Sequence, residues 1–263
     1  MSNKLVKFLS LTLISNLIYL GLTNPATAKP KSPESAESAE SAESAETRAS
    51  DFGLPTHRRD GGSRSSRDSC VTNSENSNLM ALIPQKTVGM NAAASPQLFF
   101  YVPKLKNSST LEFVLRNEQD QLIYETFLST EGNGIISIKV PAEDKSNLLK
   151  PNQNYHWYLS MICNNQERSR DIVVEGWMRQ GRLNLATQQQ LNKASSLEKA
   201  EIYRQQGFWF DALSALTEDP TSMAEETMIR QKWSEMLVSV GLENLASKPF
   251  IDTKLVKNPA NFR

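Results

Sequence analysis

Side chains that commonly carry chemistry are scarce in this chain of 263 residues. It contains two histidines, His57 and His156, and two cysteines, Cys70 and Cys163. A zinc cage built on cysteine needs three or four thiolates, and two histidines provide little material for a metal site or for acid/base catalysis. His156 lies beside Trp157 on an expected strand, and we interpret it as a structural histidine rather than a ligand. We therefore expect no metal site and no other cofactor.

Carboxylates are the remaining candidates for acid/base chemistry. Glycosidases use a pair of them, and the candidates in this chain are Glu125, Glu131, Glu143 and Asp144. Nothing in the sequence brings any two of these to the separation that such chemistry needs. The chain also lacks a Gly-x-Ser-x-Gly elbow, a phosphate-binding glycine-rich loop, a dinucleotide fingerprint and a His-Glu-x-x-His helix. No catalytic residue is predicted, and a non-catalytic protein is favoured.

The amino-terminal segment is typical of an export signal. Lys4 and Lys7 give a positive start, residues 8–22 are largely apolar, and small residues at 26–28 predict cleavage after Ala28. The apolar run is shorter than the roughly 20 residues that span a bilayer. We therefore expect a mature chain without an integral membrane span, located outside the cytoplasm in the periplasm, the medium or the thylakoid lumen.

Export changes the interpretation of the two cysteines. In an oxidising compartment an even pair usually forms a disulfide, and a Cys70–Cys163 bridge would close a loop of 93 residues. Such a loop stabilises a fold by roughly 4 kcal/mol in the chain-entropy model. The alternative is a free catalytic thiol. Neither cysteine lies in a recognisable nucleophile motif, so the disulfide is favoured.

Composition and charge limit the class of protein. The 29 basic and 29 acidic residues cancel, which argues against a strongly basic nucleic-acid-binding protein. Changes in composition along the chain divide it into five parts. We predict a signal peptide, a disordered low-complexity linker, a β-sandwich domain, a helical domain and a tail at residues 1–28, 29–78, 79–180, 181–250 and 251–263.

One part of the linker is basic and rich in glycine. It contains Arg58, Arg59 and Arg64 around the consecutive glycines Gly61 and Gly62. Glycines beside arginines can present backbone N–H groups and positive charge to an anion. The favoured alternative is a solvated linker that precedes the disulfide.

Seven strand-like segments follow one another over about 100 residues, which predicts an immunoglobulin/fibronectin-III-like β-sandwich. They lie at residues 79–83, 97–102, 111–116, 121–128, 134–140, 155–163 and 171–177. The stretch from Leu149 to Tyr155 resembles the start of strand F in fibronectin type III domains. There a tyrosine hydroxyl bonds back across a corner, so we predict a structural role for Tyr155.

Helical signals begin after the last strand, and the whole fold is predicted to be a sandwich followed by a small helical bundle. Ser195 and Glu198 predict a capping box, and Gly207 predicts the end of that helix. Residues 200–213 resemble one tetratricopeptide unit, but a stable stack needs about three. A further helix is expected over residues 223–240.

Two runs of three consecutive aromatic residues occupy positions 99–101 and 208–210. Neither a strand nor a helix can turn three consecutive side chains to one face. One ring is then either exposed as a partner site or packed between the strands and the helices. We favour packing, because at roughly 25 cal/mol per Å² the buried rings would stabilise that contact by several kcal/mol.

Several stretches together carry a resemblance to a known family. They are Pro55–Gly62 with Arg64 and Cys70, and residues 79–84, 95–103, 174–178, 207–213 and 233–242. As a set they resemble a cyanobacterial family catalogued as domain of unknown function 928. The resemblance covers roughly residues 53–250. It implies export and a shared two-part architecture, and it implies no catalytic or binding residue.

The sequence thus favours an exported, non-catalytic binding or scaffolding protein of the cell envelope with a protein partner there. The absence of catalytic motifs and the single tetratricopeptide-like unit prompt this hypothesis. One alternative is an envelope hydrolase that uses paired carboxylates, and another is an anion- or polysaccharide-binding module at the arginine-rich loop. A pocket with two facing carboxylates, at least one of them desolvated, would favour the hydrolase.

Overall fold

A computed structural model describes residues 70–72, 78–85, 88–142 and 149–257. Within these ranges the strands are β1 Met80–Ala81, β2 Gly89–Asn91, β3 Gln97–Asn117, β4 Leu122–Lys139, β5 Asn154–Ile162, β6 Ile172–Gln180 and β7 Lys254–Leu255. The α-helices are α1 Leu185–Leu191, α2 Ser196–Gln205, α3 Trp209–Ala215 and α4 Met223–Ser239. The predicted signal peptide, nearly all of the predicted linker and the loop with Arg58, Arg59, Gly61, Gly62 and Arg64 lie outside the described residues.

The described strands form one seven-stranded sheet in the order β2-β6-β5-β3-β4-β7, with β1 paired to β3 beside this path. All the strand pairs are antiparallel except β2 with β6. Strands β3 and β4 form a long hairpin that runs from the pair Gln97–Lys139 to the pair Arg116–Leu122. This hairpin is the centre of the sheet.

Strand β3 folds back on itself. The rings of Phe100 and Phe113 are 6.2 Å apart between centroids, whereas a straight strand would separate these residues by about 40 Å. The ladder between β3 and β4 shifts register after Lys104, next to Pro103, which has no N–H group to donate. Opposite this bend Gly132 has a φ of +74°, and a Cβ there would lie 2.3 Å from the carbonyl oxygen of Pro103. Only glycine fits that position.

The architecture is therefore mixed α/β, with a seven-stranded sheet and four helices in the described ranges. The immunoglobulin/fibronectin-III-like sandwich is not confirmed, because the strands are hydrogen-bonded into one sheet. Four of the predicted strands merge in pairs into β3 and β4. The short strands β2 and β7 were not predicted. They have three and two residues, and a segment of that length shows no hydrophobic periodicity.

The boundaries of α2 and α4 follow the predicted signals. Ser195 and Glu198 form the expected capping box, and Gly207 ends the following turn with a φ of +78°. The long helix α4 has Ser222 as its N-cap and is followed by Gly241 at a φ of +72°. Helix α1 was not predicted.

Both aromatic runs are buried, which confirms the packing interpretation. All six rings are at most 8% exposed. The indole nitrogen of Trp209 donates to the carbonyl oxygen of Leu82, and the ring of Phe210 packs against Gly89. Phe99 packs edge-on against Trp233 of α4 at 5.5 Å between centroids. The sheet and the helices thus share one hydrophobic core.

The predicted disulfide between Cys70 and Cys163 is confirmed, with the two Cα atoms 5.3 Å apart. It joins the segment around Cys70 to the residue after β5. The Cys70 segment lies beside β3, because Lys106 of β3 donates its backbone N–H to the carbonyl oxygen of Cys70. Tyr155 is buried, and its hydroxyl oxygen accepts a 2.6 Å hydrogen bond from the backbone N–H of Lys150. Helices long and apolar enough to cross a bilayer are absent from the described ranges.

Candidate binding cleft

A polar cleft of about 450 Å³ opens between α2, α3 and the segment that joins β2 to β3. Its volume is within the range of small-molecule sites. The polar side chains that line it come from elements far apart in the sequence. They include Asn91, Lys139, Asn192, Lys199, Tyr203, Asp211 and Glu218.

Asp211 is a buried carboxylate in the wall of this cleft. It is 5% exposed, and its two oxygens accept the backbone N–H groups of Ala92 at 2.7 Å and of Ala93 at 2.9 Å. Asp211 forms no ion pair with any side chain that the structure describes. Burial therefore raises the pKa of Asp211 to about 6, although the two N–H donors oppose the shift.

The aromatic residues just before Asp211 fix its position. Trp209 is bonded to Leu82, and Phe210 fills the space that a side chain at position 89 would occupy, since a Cβ on Gly89 would lie 2.3 Å from the ring of Phe210. Together they hold the first turn of α3 against the sheet. The carboxylate is thereby held against the turn at residues 91–93.

Two buried amides support that turn from the other side. The Nδ2 of Asn91 donates to Oε1 of Gln180 at 2.7 Å, and Nε2 of Gln180 donates to the carbonyl oxygen of Ala92 at 3.2 Å. Oδ1 of Asn91 is buried and has no hydrogen-bond partner among the described residues. This end of the cleft therefore combines a desolvated carboxylate with an unpaired amide oxygen.

The remaining charged groups of the cleft are more exposed. On α2, Lys199 donates to Oε2 of Glu218 at 2.9 Å, and the hydroxyl of Ser196 donates to the same oxygen at 2.9 Å. Lys139, the last residue of β4, is exposed and forms no ion pair within the described ranges. Burial raises the pKa of Tyr203, and the negative charges of Asp211 and Glu218 raise it further.

The cleft contains two carboxylates, one of them desolvated, which is part of what the hydrolase alternative requires. Both are engaged by other groups. Asp211 accepts two backbone N–H groups, and Glu218 is bonded to Lys199 and Ser196. The described residues contain no group of three or more histidine, cysteine, aspartate or glutamate side chains placed to hold a metal ion.

The carboxylates named from the sequence lie elsewhere. Glu125 lies on β4 and does not line the cleft. Glu131 lines a separate open cavity together with Asp252, and both are exposed. Glu143 and Asp144 lie outside the described residues. Sequence reasoning missed Asp211, whose signal is a charged residue inside an otherwise apolar run at 208–213.

His156 lies outside the cleft, on β5. Its Nδ1 is 2.7 Å from the hydroxyl oxygen of Tyr158, and its Nε2 is 3.4 Å from Oε2 of Glu175. The imidazole stacks on the indole of Trp177 with centroids 4.4 Å apart and planes 8° from parallel. Three neighbours thus hold the ring in place on the strands.

Comparison with known proteins relates the chain to a family. The model of a family described as a domain of unknown function, DUF928, matches residues 59–250, which include all the residues of the cleft. No curated protein and no solved structure matches the chain.

Proposed function

The chain belongs to the DUF928 family of domains of unknown function, and on its structure we propose that it is an exported, non-catalytic binding protein of the cell envelope. The cleft around Asp211 is the proposed binding site. The observation that carries the proposal is the state of its two carboxylates, since each already accepts hydrogen bonds from the protein. These hydrogen bonds fix both carboxylates in place, which suits them to orient and hold a ligand.

Export is supported by two features. The first is the lysine-flanked apolar segment before Ala28, which is typical of a cleaved signal. The second is the disulfide, since such bonds persist mainly in oxidising compartments. The immunoglobulin/fibronectin-III-like sandwich also stays a proposal. It is supported by the bend in β3, which places Phe100 and Phe113 of one strand in contact across the core.

The binding function can be tested by capture of small molecules. The mature protein, purified from its native host, is incubated with an envelope extract, and the retained compounds are identified by mass spectrometry. We expect a compound that the wild type retains and that Lys139→Glu retains at least about tenfold less. The matched control is Lys106→Glu, because Lys106 is exposed on β3 and does not line the cleft. Failure of the wild type to retain any compound, or equal retention by Lys139→Glu, would contradict the proposal.

An envelope hydrolase is the second candidate function, because Asp211 and Glu218 line one cleft and burial raises the pKa of Asp211 to about 6. The test is incubation of the mature protein with peptidoglycan fragments. Product release that Glu218→Gln abolishes, while Glu131→Gln leaves it unchanged, would establish the hydrolase. Absence of any product would eliminate it.

A further inference from the structure

The cleft around Asp211 is lined by side chains of both charges. Asp211 is a nearly fully buried carboxylate without a basic partner among the described side chains. Its two oxygens accept only backbone N–H groups, and Oδ1 of Asn91, in the turn that Asp211 contacts, is a buried acceptor without a donor among the described residues. This end of the cleft therefore suits a ligand group that donates hydrogen bonds and carries positive charge.

The more exposed part of the cleft instead suits a negatively charged ligand group. The positive charge of Lys199 is paired with Glu218, whereas Lys139 lines the same cleft without an ion pair in the described part of the chain. An ammonium group without an acidic partner suits a ligand carboxylate. A neutral sugar would leave both Asp211 and Lys139 without a charge partner, and a simple anion would face Asp211.

We propose that the cleft binds a zwitterionic amino compound, an amino acid or a short peptide, with its ammonium group at Asp211 and its carboxylate at Lys139. This inference rests on the proposed binding function. Ser95, Ser214 and Thr217 also line the cleft. The hydroxyls of Ser95 and Thr217 donate to the carbonyl oxygens of Val140 and Ser214, so their oxygens can accept hydrogen bonds from a ligand.

The proposal has a consequence for pH that distinguishes it from anion binding. The titratable and charged groups that line the cleft with Asp211 are Tyr203, Lys199, Glu218 and Lys139. Strand β2, which packs against α3, contains no titratable side chain. A ligand ammonium favours the ionised carboxylate, so the affinity falls as pH decreases through about 6, the pKa of Asp211. Between pH 7.5 and pH 5 the loss is roughly tenfold. An anion would instead bind more tightly at pH 5.

The test is isothermal titration calorimetry of the mature protein at pH 7.5 and pH 5. The probes are glycine, 4-aminobutyrate, 6-aminohexanoate and alanyl-alanine, which vary the spacing between ammonium and carboxylate. Butylamine, butyrate and glucose are the controls. We expect at least one zwitterion to bind at least about tenfold more tightly than either butylamine or butyrate, and more weakly at pH 5.

The variants Asp211→Asn and Lys139→Gln should each weaken that binding by about tenfold or more, and Lys106→Gln should leave it unchanged. If Asp211→Asn does not fold, the exposed Lys139→Gln still decides the question. Binding of glucose in place of the zwitterions, or tighter binding of butyrate at pH 5, would overturn the inference and leave the binding function in place. Failure of every probe would overturn the inference, and the capture experiment then decides the binding function separately.

Discussion

The indole nitrogen of Trp209 donates a hydrogen bond of 2.8 Å to the carbonyl oxygen of Leu82, which precedes it by 127 residues. Both groups are buried, and the bond holds the start of α3 on the segment after β1. The carboxylate two residues further on, that of Asp211, therefore depends on a contact made by the amino-terminal part of the described chain.

Substitution of this indole tests how strongly the bond holds α3. Trp209→Phe removes the donor and leaves the Leu82 carbonyl without that partner, so we expect a loss of about 1–3 kcal/mol in the free energy of unfolding. Urea denaturation of the mature protein measures it. The half-exposed Trp177 provides a control, because Trp177→Phe removes no buried bond of this kind. An equal loss in both variants would contradict the role of the bond.

A methyl group at position 89 should disturb the packing of Phe210, the residue that precedes Asp211. In Gly89→Ala the new Cβ would meet the ring of Phe210, so we expect a destabilisation of about 1–3 kcal/mol from overpacking. In the Phe210→Leu background Gly89→Ala should cost less than in the wild type, because the smaller side chain leaves room for the new Cβ. The comparison is Gly241→Ala, where no atom is close and the positive φ alone costs about 1 kcal/mol. An equal cost of Gly89→Ala in both backgrounds would rule out the predicted clash.

Asp211 should make stability depend on pH in a direction opposite to that of most carboxylates. Its pKa is raised by burial from 3.8 to about 6, so the folded state retains the proton more strongly than the unfolded state. The stabilisation is fully present below about pH 4 and is lost as pH rises through about 6, by about 3 kcal/mol at most.

The measurement compares the free energies of unfolding of wild type and Asp211→Asn between pH 4 and pH 7.5. The variant loses one acceptor for the N–H groups of Ala92 and Ala93, which gives an offset independent of pH. The wild type should lose stability relative to the variant as pH rises. Other groups, including Glu201, whose pKa is lowered to about 2 by its bonds to Arg204 and Lys232, cancel in the difference. A constant difference would show that Asp211 does not titrate in this range.

The disulfide should contribute strongly to stability. Because it closes a loop of 93 residues, replacement of both Cys70 and Cys163 by serine should lower the free energy of unfolding by about 4 kcal/mol. Reduction of the wild type should give a similar loss. Titration of two free thiols in the denatured, unreduced mature protein would contradict the presence of the bridge.

Local signals in the sequence predicted the boundaries of α2, the extent of α4 and most of the strands, whereas α1 was missed. The capping box at Ser195 and the glycine at position 207 act within one turn, so both could be identified without tertiary information. The continuity of β3 could not, because Pro103 normally ends a strand, and here it coincides with a bend that Gly132 accommodates from the neighbouring strand.

The cleft could not be predicted from the sequence either, because its contacts join residues that are far apart in the chain. The partners of Asp211 are backbone groups at positions 92 and 93, more than a hundred residues away. Any residue type at those positions offers an N–H group except proline, so no motif marks the contact. The one local signal is the isolated charge of Asp211 in an apolar run.

The folded-back hairpin of β3 and β4 has a consequence for the order of assembly. Residues 97–139 pair with one another along this hairpin, and the rings of Phe100 and Phe113 meet within it. Its most distant pair, Gln97 and Lys139, is separated by far fewer residues than the 93 between the two cysteines. Such contacts close small loops and form quickly. This hairpin can therefore collapse before Cys163 is brought to Cys70, and we expect the bridge to form after it. In pulse-labelling hydrogen exchange, amides of the hairpin should be protected earliest, and later elements then dock on a surface that already exists.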